Sequence, residues 1–206
     1  MDYKDNVRNI YLIRHGETDW NVQRRVQGHS DIPLNKRGIE QANRLAKHLK
    51  GESIDYICSS DLERAYHTAE IIANETGLSV HKYMDLRERN YGVWEGKDYE
   101  TIRSVFADVA PQNPSNERLL IESFSELQER GMNCIQTILQ ANEAKHIVLV
   151  SHGGMINALL HKMSNGRYGP GITKLRNTSI NHIGYQGTCW VVHRVNDDSH
   201  LDDEMM

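Results

Sequence analysis

What this 206-residue chain has little of narrows its reading first. It holds three cysteines, Cys58, Cys134 and Cys189. They are scattered and odd in number, and match neither a metal-ligand spacing nor a disulfide framework. A reducing, cytoplasmic setting is therefore expected. No stretch approaches the roughly 20 apolar residues that span a bilayer, so no membrane partner is expected. The opening Met1-Asp2-Tyr3-Lys4-Asp5 is charged where a signal peptide would be apolar. Positive charge is not in excess: Lys and Arg number 24 against 28 Asp and Glu, a net charge of -4. That argues against a nucleic-acid partner. An anion site in such a chain must be a local cluster of cations. Internal repeats and strong linkers are also missing, so residues 1–206 read as one domain. The polar, acidic residues 196–206 read as a frayed tail.

What is present is organised around Ile10-Tyr11-Leu12-Ile13-Arg14-His15-Gly16-Glu17-Thr18. The apolar run reads as a buried strand that stops abruptly at Arg14-His15-Gly16. A second run, Ile147-Val148-Leu149-Val150-Ser151-His152-Gly153-Gly154, repeats the arrangement. In open α/β sheets ligands bind beyond the carboxyl ends of strands. Two neighbouring strands that each deliver a histidine and a glycine would converge on one anion.

The rest of the chain alternates strands and helices. Residues 18–31 lack a period and read as a ligand-contacting loop. Asn35 caps a helix with an Ile39, Ala42, Leu45, Ala46, Leu49 stripe. Residues 54–58 form a strand, and Ser60-Asp61-Leu62-Glu63 fits a capping box. Arg64 then falls in a helical first turn, where a cation is locally unfavourable; it is placed for something else. Residues 78–83 suggest a strand, and 85–96 a second functional loop. Tyr99, Ile102, Val105 and Phe106 suggest a helix, broken at 110–116. Ser123-Phe124-Ser125-Glu126 opens a long helix, residues 154–163 another, and 180–195 a closing hairpin around Gln186-Gly187.

These residue types suit phosphoryl transfer, which depends on positioning and charge stabilisation. Arg14 and Arg64 each offer a planar fork to phosphoryl oxygens. His152 and the Gly153 N–H supply further donors. That leaves His15 to attack phosphorus, because histidine forms covalent intermediates. Glu88 is the candidate general acid for the leaving alkoxide, with Glu95 as its competitor. The rate should then depend on an unprotonated His15 and a protonated Glu88, with a mildly acidic to neutral optimum.

Arg14-His15-Gly16-Glu17-Thr18 resembles the opening motif of the histidine phosphatase superfamily, the phosphoglycerate mutase-like family. Arg25-Val26-Gln27-Gly28, Asp31-Ile32-Pro33-Leu34, Gly38 and Gln41-Ala42 resemble its next segment. Ser59-Ser60-Asp61-Leu62-Glu63-Arg64-Ala65 resembles its second arginine motif. Leu86-Arg87-Glu88 with Gly92-Val93-Trp94-Glu95-Gly96 resembles its acid loop, and Val150-Ser151-His152-Gly153-Gly154 its second histidine motif. The resemblance implies a three-layer α/β/α fold with a mostly parallel central sheet. It implies a nucleophile at His15, phosphate binding by Arg14, Arg64 and His152, an acid at Glu88, and no metal or other cofactor. Asn21 and Gln27 fall where family members touch phosphate; as residues alone they could equally brace the loop.

The expected activity is hydrolysis of a small phosphorylated metabolite. Sugar phosphates, phosphoglycerates, nucleotide-pathway intermediates and a ribazole phosphate all suit such a site. Two alternatives stand beside it: a mutase, which resembles longer chains whose tail shields the phosphohistidine, and a phosphate-binding regulatory protein. A zinc enzyme is disfavoured, because His67 and Glu70 share a helical face without a third ligand. His29, His48, His67, His81 and His161 read as surface or supporting groups, and Tyr91 and Trp94 as packing residues. A homodimer is compatible with the sequence.

Overall fold

A computed structural model describes residues 7–105 and 120–205. Phe106 and the break at 110–116 lie outside the described residues. In chain order the elements are β1 (Arg8–Arg14), α1 (Asp19–Val22), α2 (Lys36–Leu49), β2 (Tyr56–Ser59), α3 (Glu63–Thr76), β3 (Val80–Lys82), α4 (Tyr99–Val105), α5 (Phe124–Ala141), β4 (His146–Ser151), α6 (Gly153–Met163), β5 (Ile180–Gln186) and β6 (Cys189–Asp197). Short 3-10 turns lie at Met84–Leu86, Gly92–Trp94 and Ser199–Met205.

The strands make one sheet of six, ordered β3-β2-β4-β1-β5-β6. The first four are mutually parallel, β5 runs antiparallel to β1, and β6 antiparallel to β5. The period of two in a strand explains the apolar runs. Ile10, Leu12, Ile147 and Leu149 face α5 and α6 through Leu127, Ile135, Met155 and Leu159. Ile13, Val148 and Val150 face α2 and α3 through Leu45, Leu49, Ala69 and Ile72. A central strand buried on both faces needs apolar residues at every position, which is why β1 and β4 read as unbroken runs. Each such side chain contributes about 1.5–3 kcal/mol of burial.

This topology places the two histidines. β4 lies against β1 in register, Ile13 opposite Val150 and Arg14 opposite Ser151. His15 N–H donates to Ser151 O at 2.9 Å, and Ser60 N–H to Val150 O at 3.0 Å. Three parallel strands thus end side by side.

Three expectations need correction. The α3 N-cap is Leu62, without a side-chain cap, and not Ser60. The Ser60 hydroxyl accepts from Leu62 N–H instead, and Asp31 Oδ1 takes Glu63 N–H at 2.7 Å from another loop. The loop after His15 contains α1, closed by a capping box between Thr18 and Asn21. Residues 196–202 are no free tail: β6 reaches Asp197, and the turn beyond it packs on α2. Among the described residues no helix is long and apolar enough to cross a membrane.

Candidate active site

Arg14 and His15 leave β1 through a tight turn. A Cβ on Gly16 would stand 2.5 Å from Gly38 O, so the backbone can press against the first turn of α2 only as glycine. Gly16 N–H donates to Thr68 Oγ1, whose hydroxyl donates to Arg64 O at 2.7 Å. The His15 turn and the Arg64 helix are thereby tied together.

The His15 ring is 2% exposed. Its Nδ1 lies 2.7 Å from Gly16 O. A carbonyl only accepts, so Nδ1 carries the proton and Nε2 keeps its lone pair. Burial, then Arg64, then Arg14 hold the His15 pKa well below the usual histidine value. The imidazole is neutral at neutral pH. His152 stands beside it, ring centroids 5.2 Å apart and tilted by 56°. It is fully buried, and its pKa is lowered well below the usual value by burial and then by Arg64.

Arg64 is fully buried at the start of α3. Its Nη1 and Nη2 donate to Ser30 O and Gly28 O, both at 2.8 Å. Burial brings its pKa down to about 10, so it stays charged. Arg14 Nη1 donates to Leu175 O at 2.8 Å. Arg14 Nε, Arg64 Nε and both ring nitrogens of His152 are buried and unpartnered. A buried donor without an acceptor costs about 1–3 kcal/mol, more when charged. A tetrahedral anion offers acceptors to the two Nε–H groups and to the one N–H of neutral His152, so binding one offsets that cost.

Glu88 arrives from the opposite side. Its Oε2 accepts from Gly154 N–H at 3.0 Å, and its Oε1 from Met155 N–H at 3.1 Å and Arg89 N–H at 2.8 Å. His152 is the N-cap of α6 and supplies no side-chain cap, so Glu88 occupies the helix N-terminus in its place. A Cβ on Gly154 would collide with Glu88 Oε1, while one on Gly153 would come 3.7 Å from Arg14 Nε. Gly153 thus sits within van der Waals contact distance of the Arg14 guanidinium. From behind, Arg130 forks onto Glu122, both bonds 2.9 Å, and donates to the carbonyls of Asp85 and Arg87. The competing carboxylate, Glu95, accepts from His29 N–H, Ser30 N–H, Ser30 Oγ and Tyr91 N–H. It braces two loops against each other.

Asn21 and Gln27 brace the loop through their oxygens. Asn21 Oδ1 accepts from Thr18 N–H and Asn177 Nδ2, and Gln27 Oε1 from the Thr18 hydroxyl. The NH2 end of each amide is the end free to meet an anion. The site residues read from sequence thus gather at one end of the sheet. Sequence reasoning missed Asn177 and Thr178. Asn177 Nδ2 donates to His15 O at 3.0 Å, and Thr178 N–H to Arg14 O at 2.9 Å. Thr178 is buried at φ 58°, and its hydroxyl meets His200 Nε2 at 3.0 Å. The one available signal was a polar run, 176–179, directly before an apolar strand. Among the described residues no cluster of three or more His, Cys, Asp or Glu suits a metal ion.

Two imidazoles in ring contact, under the charge of two buried guanidiniums, stand at the carboxyl ends of parallel strands on an α/β scaffold, an arrangement suited to a tetrahedral anion. The profile of the histidine phosphatase superfamily (branch 1) matches residues 10–198, and the chain belongs to that family. It is 36% identical to the uncharacterized phosphatase PhoE of Bacillus subtilis, over 93% of this chain and 96% of that protein. It is 37% identical to the probable phosphoglycerate mutase GpmB of Proteus mirabilis, over 94% and 95%. Among solved structures, Bacillus stearothermophilus YhfR superposes with a TM-score of 0.83 at 31% identity, covering 93% of this chain and 98% of that one. Proteins named as phosphatases and as probable mutases therefore both stand among its relatives.

Proposed function

We propose that the chain is a phosphomonoester phosphatase that works through a phosphohistidine on His15 and needs no metal. One observation carries the reading: His15 Nε2 is an unprotonated lone pair, fixed by the Nδ1 bond to Gly16 O, beside unpartnered donors of Arg14, Arg64 and His152. The phosphoryl group binds those donors, the Gly153 N–H and the amides of Asn21 and Gln27. Nε2 attacks phosphorus in line as the bond to the alcohol oxygen breaks. Glu88 gives its proton to the leaving oxygen. Water then attacks phosphorus, its proton returns to Glu88, and the P–N bond breaks to free His15 and phosphate.

Hydrolysis is supported by the phosphatase PhoE among the relatives; the GpmB relatives make isomerisation the alternative to be tested. The test sets phosphate release from a panel of phosphorylated metabolites against isomerisation of 3-phosphoglycerate. Phosphate release is expected, unaffected by chelators and inhibited by vanadate or tungstate. Robust isomerisation with little phosphate release reverses the reading, and loss of activity on chelation ends its metal-free part.

A further inference from the structure

From Asn21 the chain runs directly into Arg24 and Arg25. Arg25 forms an antiparallel bridge with Asp98. Val26 N–H donates to Lys97 O at 2.9 Å, and Gly96 N–H to Val26 O at 2.8 Å. This short ladder sets α4 beside the loop. Tyr99 and Arg103, four residues apart on α4, share one face. A cavity of about 970 Å³ lies elsewhere, against Arg14 and the C-terminal turn. At the α4 junction a second cavity, about 700 Å³, is lined by Arg24, Arg25, Arg103, Tyr99, Asp98 and Glu100.

Its charges do not cancel. Asp98 caps α4, with Oδ1 accepting from Thr101 N–H at 2.7 Å and Oδ2 from the Thr101 hydroxyl at 2.9 Å. Glu100 is exposed at the helix surface. Arg25 Nη1 donates to Gly96 O at 3.2 Å. The guanidiniums of Arg24 and Arg103 have no hydrogen-bond or ion-pair partner among the described residues. The fold brings Arg24 and Arg25, nearly 80 positions earlier, to Arg103.

This cavity adjoins the phosphoryl site along the chain: Arg24 is three positions after Asn21, and Arg24 N–H donates to Asn21 O at 3.2 Å.

Resting on the phosphatase reading, we propose that Arg24, Arg25 and Arg103 bind a second anionic group, a carboxylate or a second phosphoryl, at the far end of the substrate. Planar guanidinium forks bind both groups. The ring of Tyr99 forms the wall along which an uncharged spacer lies. A substrate with its carboxylate a bond or two from the phosphate does not reach.

The probes are phosphorylated ω-hydroxy acids of increasing chain length, their methyl esters, and the matching α,ω-diol bisphosphates. The readout is the ratio of kcat/KM for acid over ester at each length. The ratio is expected near one for the shortest pair and about tenfold at a long spacer, and to shrink at high salt. The bisphosphate arm tells which anion the site prefers. In an Arg24→Ala/Arg103→Ala variant the long-spacer ratio falls toward one. Exposed Arg103→Gln alone lowers it partway, should the double variant fold poorly. A ratio of one at every length in the parent enzyme overturns the proposal. p-Nitrophenyl phosphate is run alongside, and its failure to turn over refutes the phosphatase reading instead. In that event the acid and ester pairs are titrated calorimetrically into His15→Ala. Equal affinities there still overturn the subsite, and a tenfold preference for the acid upholds it.

Discussion

The ends of β1 and β4 carry the same signature, an apolar strand followed by histidine and glycine, yet they are built differently. At the end of β1 the chain turns back on itself, and the Gly16 carbonyl fixes the His15 tautomer. At the end of β4 the chain enters α6 at once. There Glu88 takes the first helical N–H groups and leaves the His152 ring without a partner. One histidine has an acceptor behind it and a lone pair in front. The other has both ring nitrogens unpartnered, and its one N–H is available to an anion. A nucleophile needs the first environment and a phosphate donor the second.

Substitutions at the two rings break this comparison most sharply. His15→Ala is expected to lower kcat/KM by roughly 10⁴-fold or more, with no covalent adduct. His152→Ala should cost roughly 10²–10³-fold while the adduct still forms. Equal losses, with the adduct surviving in neither, would erase the distinction.

Glu88→Gln sharpens the contrast between the two carboxylates of the acid loop. It is expected to slow alkyl phosphates by roughly 10²–10⁴-fold. The effect should be much smaller for p-nitrophenyl phosphate, whose leaving group needs no proton. Glu95→Gln should act through stability, read as a lower Tm, because Glu95 holds backbone N–H groups of two loops. A leaving-group-dependent rate loss at Glu95 would exchange the two roles.

The pH profile follows from the same cations. Burial, Arg64 and Arg14 lower the His15 pKa, so the acid limb of kcat/KM lies below the usual histidine range. Arg64→Met removes a lowering charge. The limb should therefore move up toward ~6.5, the unperturbed histidine value, together with a loss of roughly 10²-fold in kcat/KM. An unmoved limb would mean that another group sets it.

The smallest effect is one of stability. Burial, and then His48, holds His200 down to about 4, so the folded protein keeps it neutral where the unfolded chain protonates it. Its contribution is complete above ~6.5 and is lost as pH falls toward that lower value. Half-exposed, it is worth about 1 kcal/mol after screening. His200→Asn should flatten the fall in Tm over this window, and an unchanged slope would remove His200 from the account.

Much of this was legible from the residues, and for a physical reason. β1 and β4 are buried on both faces, so their apolar runs announce strands. Arg64 is out of place in a helical first turn, so its misfit points to the site. Other features depend on chain-distant partners. The α3 cap went to Asp31, 32 residues earlier, which no local pattern records. α1 is four residues long, too short to show a period. Asn177 and Thr178 act on His15 and Arg14 across more than 160 residues. His200 meets Thr178 only because the last turn folds back onto α2, where composition alone suggested fraying.

The most direct test of the central claim is rapid acid-free quenching of the enzyme during turnover of a radiolabelled phosphomonoester, followed by peptide mapping. The account predicts one acid-labile, base-stable phosphoryl adduct, on the peptide that carries His15 and on its Nε2. A label on His152 or on any other side chain, or none in an enzyme that is turning over, would contradict it.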